Sequence, residues 1–91
     1  MNNCMFVGYP TKMPELQKTE NGVSYVDFEF QVSDPKSKTN VFIDVEAWHT
    51  GADAICNNYR NGQKMLLRCS VKNDDKDGDL IVFRINEFEV L

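Results

Sequence analysis

Apolar and polar residues alternate along most of this chain. From Ser24 to Val32, Val26, Phe28, Phe30 and Val32 fall on one parity, and Tyr25, Asp27, Glu29 and Gln31 on the other. Successive side chains of a strand point to opposite faces of its sheet, so a period of two predicts a strand with one face buried. The pattern returns from Val41 to Trp48, where Val41, Ile43, Val45 and Ala47 are expected inside and Phe42, Asp44, Glu46 and Trp48 outside. A further run sets Met65, Leu67, Cys69 and Val71 against Lys64, Leu66, Arg68 and Ser70. The last sets Ile81, Phe83 and Ile85 against Val82, Arg84 and Asn86, and finishes with Phe88 and Val90. Near the N-terminus, Met5 to Val7 is a short apolar run closed by Gly8 and Pro10, which predicts a first strand ending in a turn.

The segments between these runs carry different signals. Pro14 begins a less regular stretch, and Asn21-Gly22 is a strong hairpin signal. Residues 33–40, polar and interrupted by Pro35, read as a loop, and the acidic stretch 73–79 with Gly78 reads as a turn. Thr50 is suited to cap a helix, with Asp53 at the third helical position to complement its N-terminal dipole. Ala54, Ile55 and Tyr59 recur at helical spacing, and Gly62 after Asn61 is a stop signal. The result is one helix of about three turns, long enough to plug one end of a small barrel. Five strands with a helix between the third and fourth predict an all-β, five-stranded OB-fold Greek-key barrel, spanning 1–91 as one domain.

Composition narrows the function classes. Ninety-one residues leave no room for a second core, and no apolar run approaches the roughly 20 residues that cross a bilayer. The N-terminus lacks the basic and apolar regions of a signal peptide, so the expected location is cytoplasmic, with no membrane partner. Cys4, Cys56 and Cys69 form no CxxC, and His49 is the only histidine, so no zinc site is expected and the cysteines read as small buried apolar residues. Neither a G-x-x-x-x-G-K-[ST] nor a G-x-G-x-x-G loop is present, and His49 has no serine or cysteine nucleophile beside it in sequence. No enzyme activity, cofactor, metal or small-molecule substrate is therefore expected. The net charge of −4 runs against nucleic-acid binding by charge alone, with Asp74, Asp75, Asp77 and Asp79 expected to lie in a loop away from any binding face.

Several segments, in order, resemble the bacterial and phage-type single-stranded DNA-binding protein family. Asn3-Cys4-Met5-Phe6-Val7-Gly8 is similar to its opening of asparagine, aliphatics and glycine, and Thr11-Lys12-Met13-Pro14-Glu15-Leu16 to its Thr-Arg-Asp-Pro-Glu-Leu turn. Asn21-Gly22-Val23 through Phe28 to Val32 resembles its Gly-Val-Ala-Val-Ala-Asn-Phe segment. Phe42-Ile43-Asp44-Val45-Glu46-Ala47-Trp48 resembles Phe-Ile-Asn-Cys-Val-Ala-Trp, and Asn58-Tyr59 to Gly62 the helix end Asn-Tyr-Leu-Lys-Lys-Gly. The resemblance implies an OB-fold whose outward aromatics on the third strand, Phe42 and Trp48 here, stack with bases, in a homodimer or homotetramer serving replication, recombination or repair. Base–aromatic stacking contributes about 1–3 kcal/mol per base and tolerates any sequence.

The chain also departs from that pattern. Asp44 and Glu46 stand where the family has uncharged residues, with Asp27 and Glu29 on the neighbouring strand. Tyr9 replaces an arginine that often follows the first-strand glycine, and either stacks or packs. The acidic, apolar-tipped tail of the family does not follow Leu91, as in a trimmed or short phage- or mobile-element-type variant. Candidate DNA-binding residues are Phe42, Trp48, Tyr9 and Tyr25 for stacking, and Lys12, Lys64, Arg68, Lys72 and Arg84 for phosphates. Two readings stand: a single-stranded DNA-binding module, or an OB-fold adaptor that has lost DNA binding and joins proteins, as a primosomal accessory subunit does. For Phe42 and Trp48 the alternative to stacking is that they cover a dimer interface or a fold-back loop.

Overall fold

The computed structural model describes residues 2–34, 36 and 38–91; Met1, Pro35 and Ser37 lie outside the described residues, and with them part of the expected 33–40 loop. The alternating segments become strands β1 (Cys4–Pro10), β3 (Ser24–Val32), β4 (Val41–Trp48), β5 (Met65–Asn73) and β6 (Ile81–Val90), with α1 (Thr50–Asn58) between β4 and β5. A two-residue strand, β2 (Gln17–Lys18), comes from the segment that carries no periodic signal. The sheet runs β1-β5-β6-β4-β3, and β1 pairs again with β3 to close a five-stranded barrel; β2 adds outside, on β3. All pairings are antiparallel except β4 with β6. This is the OB-fold arrangement.

The core follows the alternation: Val26, Phe30, Val45, Ala47, Met65, Leu67, Cys69 and Ile85 are buried, and α1 adds Ala52 and Ile55, with Tyr59 just beyond it. Val41, expected inside, is exposed, because β6 pairs with β4 only at Val45 and Glu46 and leaves the start of β4 uncovered. The helix buries Ala52 rather than Ala54. His49, not Thr50, occupies the cap position, at φ 59°, and no side chain caps the helix; Thr50 is already helical. The helix also ends at Asn58, before Gly62, which forms a separate turn at φ 90°. Among the described residues no helix is long and apolar enough to cross a membrane.

Two local devices were not anticipated by the alternation. Gly8 does not end the first strand. It pairs with Met65 of β5 and with Val32 of β3, so β1 changes partner there and runs on to Pro10. On β6, Ile85 lies opposite Cys69 but Glu87 lies opposite Arg68, so Asn86 is an extra residue in a bulge. The bulge reverses the parity, which lets Phe88 and Val90 face the core although Ile81, Phe83 and Ile85 hold the other parity. Asn86 uses the position to donate from Nδ2 to Ser70 Oγ at 2.8 Å.

Candidate nucleic-acid interface

Residues directly opposite in an antiparallel ladder share a face, so the register of β3 and β4 lays their outward side chains in rows. Tyr25 lies opposite Trp48, Asp27 opposite Glu46, Glu29 opposite Asp44, and Gln31 opposite Phe42. Both ends of this face are aromatic and its middle is acidic.

At one end the rings of Tyr25 and Trp48 stack, with centroids 5.1 Å apart and planes 24° from parallel. Each ring is fixed by its polar tip. The Tyr25 hydroxyl donates to Gln17 Oε1 at 2.9 Å, and Gln17 Nε2 donates in turn to Asp27 Oδ1 at 3.0 Å. The Trp48 indole N–H donates to Glu46 Oε2. Glu46 also meets Lys72 Nζ at 3.4 Å and Arg84 Nη2 at 3.9 Å, reached across the parallel β4–β6 pairing of Glu46 with Arg84. Lys72 bonds Asp75 as well, at 3.1 Å. Glu46 therefore does not face solvent as its outward parity predicts: it is 8% exposed, beneath two cations and an indole. Buried carboxylates persist where charge partners replace water, and that condition is met here.

At the other end Phe42 is 49% exposed, Gln31 separates it from Tyr9, and Lys64 Nζ sits 5.7 Å above the Tyr9 ring, within cation–π range. Trp48 lies six positions beyond Phe42 on β4, about 20 Å along the strand. Between them Glu29 and Asp44 are both exposed, and among the described residues no ion pair neutralises either.

The structure thus brings Tyr25, Trp48, Lys72 and Arg84 together, and gathers Phe42, Tyr9 and Lys64 in a second group. Arg68 belongs to neither: it lies across from Met5 of β1 and pairs with Glu87 at 3.8 Å. Lys12 is exposed in the turn after β1, just past Thr11, whose N–H donates to Glu29 O at 3.0 Å. The acidic loop is not remote. Asp74 and Asp75 line the same hollow as Tyr25 and Trp48, because β5 carries Lys72 beside Glu46 and the turn begins two residues later. Gln17 and Glu46 organise the site yet carried no sequence signal as positioning groups. Gln17 sits on a strand too short for periodicity, and the β4–β6 register that buries Glu46 cannot be read from alternation. Away from this face, burial and the neighbouring Cys4 push the Cys69 thiol up to about 12, and burial with Asp53 nearby raises Cys56. Among the described residues no three His, Cys, Asp or Glu side chains are grouped to hold a metal.

Comparison with known proteins agrees with this architecture. The chain is similar to the crystal structure of an SSB domain from Synechococcus sp., with a TM-score of 0.79 at 12% identity, covering 98% of this chain and 94% of that one. It is equally similar, at TM-score 0.79 and 16% identity, to the wild-type single-stranded DNA binding protein from Thermus aquaticus, covering all of this chain but only half of that protein. At these identities the likeness is one of fold. No curated protein sequence matches the chain. The model of the single-strand binding protein family matches residues 1–79, from β1 through the acidic turn after β5, and the chain is a member of that family.

Proposed function

We propose that this protein binds single-stranded DNA without sequence preference, stacking bases on its exposed rings and pairing phosphates with adjacent lysine and arginine side chains. Residues 1–91 act as one domain with no catalytic activity, in a cytoplasmic homodimer or homotetramer serving replication, recombination or repair. The observation that carries the reading is the half-buried Tyr25–Trp48 stack, with Lys72 and Arg84 held at its edge. Rings fixed before the ligand arrives lose little freedom on binding, so more of the stacking energy of about 1–3 kcal/mol per base is realised as affinity. Phe42, Tyr9 and Lys64 offer a second contact along the same face, and family membership points the same way.

A protein-binding adaptor is the second reading. Glu29 and Asp44 favour it, because unpaired carboxylates between the two aromatic groups repel a phosphate backbone. Trp48 is the only tryptophan, so titration with oligo-dT separates the readings directly. Quenching of its emission, with far weaker binding of duplex of equal length, is the expected result. Equal affinity for duplex refutes stacking, and no binding at all leaves the adaptor.

A further inference from the structure

Charge alone says that removing any carboxylate from this face strengthens binding of a polyanion. Asp44 fits that expectation, being exposed and lying opposite Glu29. Glu46, two residues along the same strand, does not. Its charge is already answered by Lys72 at 3.4 Å and Arg84 at 3.9 Å, so a nearby phosphate meets a cluster that is close to neutral. Its Oε2 accepts from the indole N–H, which fixes the plane of Trp48 against Tyr25. Without it, the indole N–H loses its acceptor, and Lys72 keeps only Asp75, which draws it toward the acidic turn and away from the ring. We propose that Glu46 is a positioning residue for single-stranded DNA: a carboxylate that strengthens binding of a polyanion, because it holds Trp48 in its stack and keeps Lys72 and Arg84 beside it. This rests on the single-stranded DNA-binding reading above.

The test compares Asp44→Asn, Glu46→Ala and Glu46→Gln by fluorescence anisotropy with labelled oligo-dT. Asp44→Asn and Glu46→Ala both remove one negative charge from one strand face, yet opposite effects are expected. Asp44→Asn tightens binding, most at low salt. Glu46→Ala weakens it about tenfold, the scale of losing a hydrogen bond to a charged group. Glu46→Gln retains an oxygen for the indole N–H and recovers part of the loss. In the free protein, the near-ultraviolet circular dichroism of the lone indole is expected to be lost in Glu46→Ala and kept in Glu46→Gln; a cooperative thermal transition kept by both variants separates this local release from a general loosening of the barrel, which also loses the near-ultraviolet signal. Binding by Glu46→Ala as tight as wild type or tighter, with a steeper salt dependence, overturns the proposal by showing that Glu46 sequesters the two cations. If Glu46→Ala does not fold, Glu46→Gln with Trp48→Phe decides. Trp48→Phe keeps a ring but has no N–H, so the two losses should overlap when combined, and additive losses overturn the proposal. Failure of the wild-type protein to bind oligo-dT is a separate outcome. It removes the single-stranded DNA reading itself, and this inference with it.

Discussion

Gly8→Ala should be among the most damaging single-methyl changes in this chain. Gly8 is buried where β1 passes from β5 to β3, and the Ser33 N–H closes that crossing by donating to Val7 O at 2.8 Å. A Cβ on Gly8 would lie 3.0 Å from both Gln31 C and Ser33 N, and deep inside the contact distance of the Gln31 carbonyl oxygen. All three neighbours are backbone atoms, so no side chain can swing aside and the two strands must part. Overpacking costs about 1–3 kcal/mol, and a rigid obstacle puts this site at the upper end, near ~3 kcal/mol. In a domain of this size each kcal/mol moves the midpoint by about 4–8 °C, so a fall of roughly 12–24 °C is expected on heating, followed by circular dichroism. Gly78→Ala is the control: nothing lies within 4 Å of its Cβ. That control should stay within about 0.5 kcal/mol of wild type. A Gly8→Ala midpoint within about 4 °C of wild type refutes the close-approach argument.

Other consequences are open to direct measurement. Trp48→Ala should weaken oligo-dT binding by about 1–3 kcal/mol, whereas Arg68→Ala, whose partner Glu87 lies away from the stack, should stay within about twofold. Comparable losses would erase the division drawn between the candidate residues. The buried Cys69 thiol, pushed up to about 12 from 9.0, makes stability fall as pH rises from about 9 toward 12. In that window the unfolded chain has released a proton that the folded chain still holds, and the slope approaches 1.4 kcal/mol per pH unit. Urea midpoints at pH 8 and 10 should therefore drop less for Cys69→Ala than for wild type, and an equal drop would show that other groups govern the loss.

The strands were legible in the sequence because burial on one face imposes a period of two, and that requirement acts within each strand. Properties that depend on neighbours were not. Glu46 has the parity of an exposed residue and is hidden only because β6 brings Arg84 opposite it and β5 brings Lys72 within reach. The acidic turn looked detachable from the candidate interface for the same reason: its position follows from the β5–β6 hairpin leaning against β4. Gly8 and Pro10 gave ordinary stop signals, yet Gly8 serves a strand that must touch two others. The change of parity between Ile85 and Phe88 rests on a bulge, which the β5–β6 register sets and the pattern of one strand does not announce. Thr50 has the chemistry of a cap, but the tight passage from β4 into α1 assigns that position to His49.

The parallel contact of β4 with β6, at Val45–Phe83 and Glu46–Arg84 alone, is a narrow seam. Tyr25 and Trp48 arrive on one side of it with the β3–β4 hairpin, and Lys72 and Arg84 on the other with the β5–β6 hairpin. Each hairpin assembles from contacts close in sequence, whereas the seam joins segments some forty residues apart and is the costlier closure. The candidate site thus does not exist on either half of the molecule. It comes into being when the barrel shuts, and Glu46, bonded to Trp48 on one side and to Lys72 and Arg84 on the other, is the latch. A ligand spanning the same four side chains fastens the seam a second time, so occupancy and barrel integrity rise together by mass action.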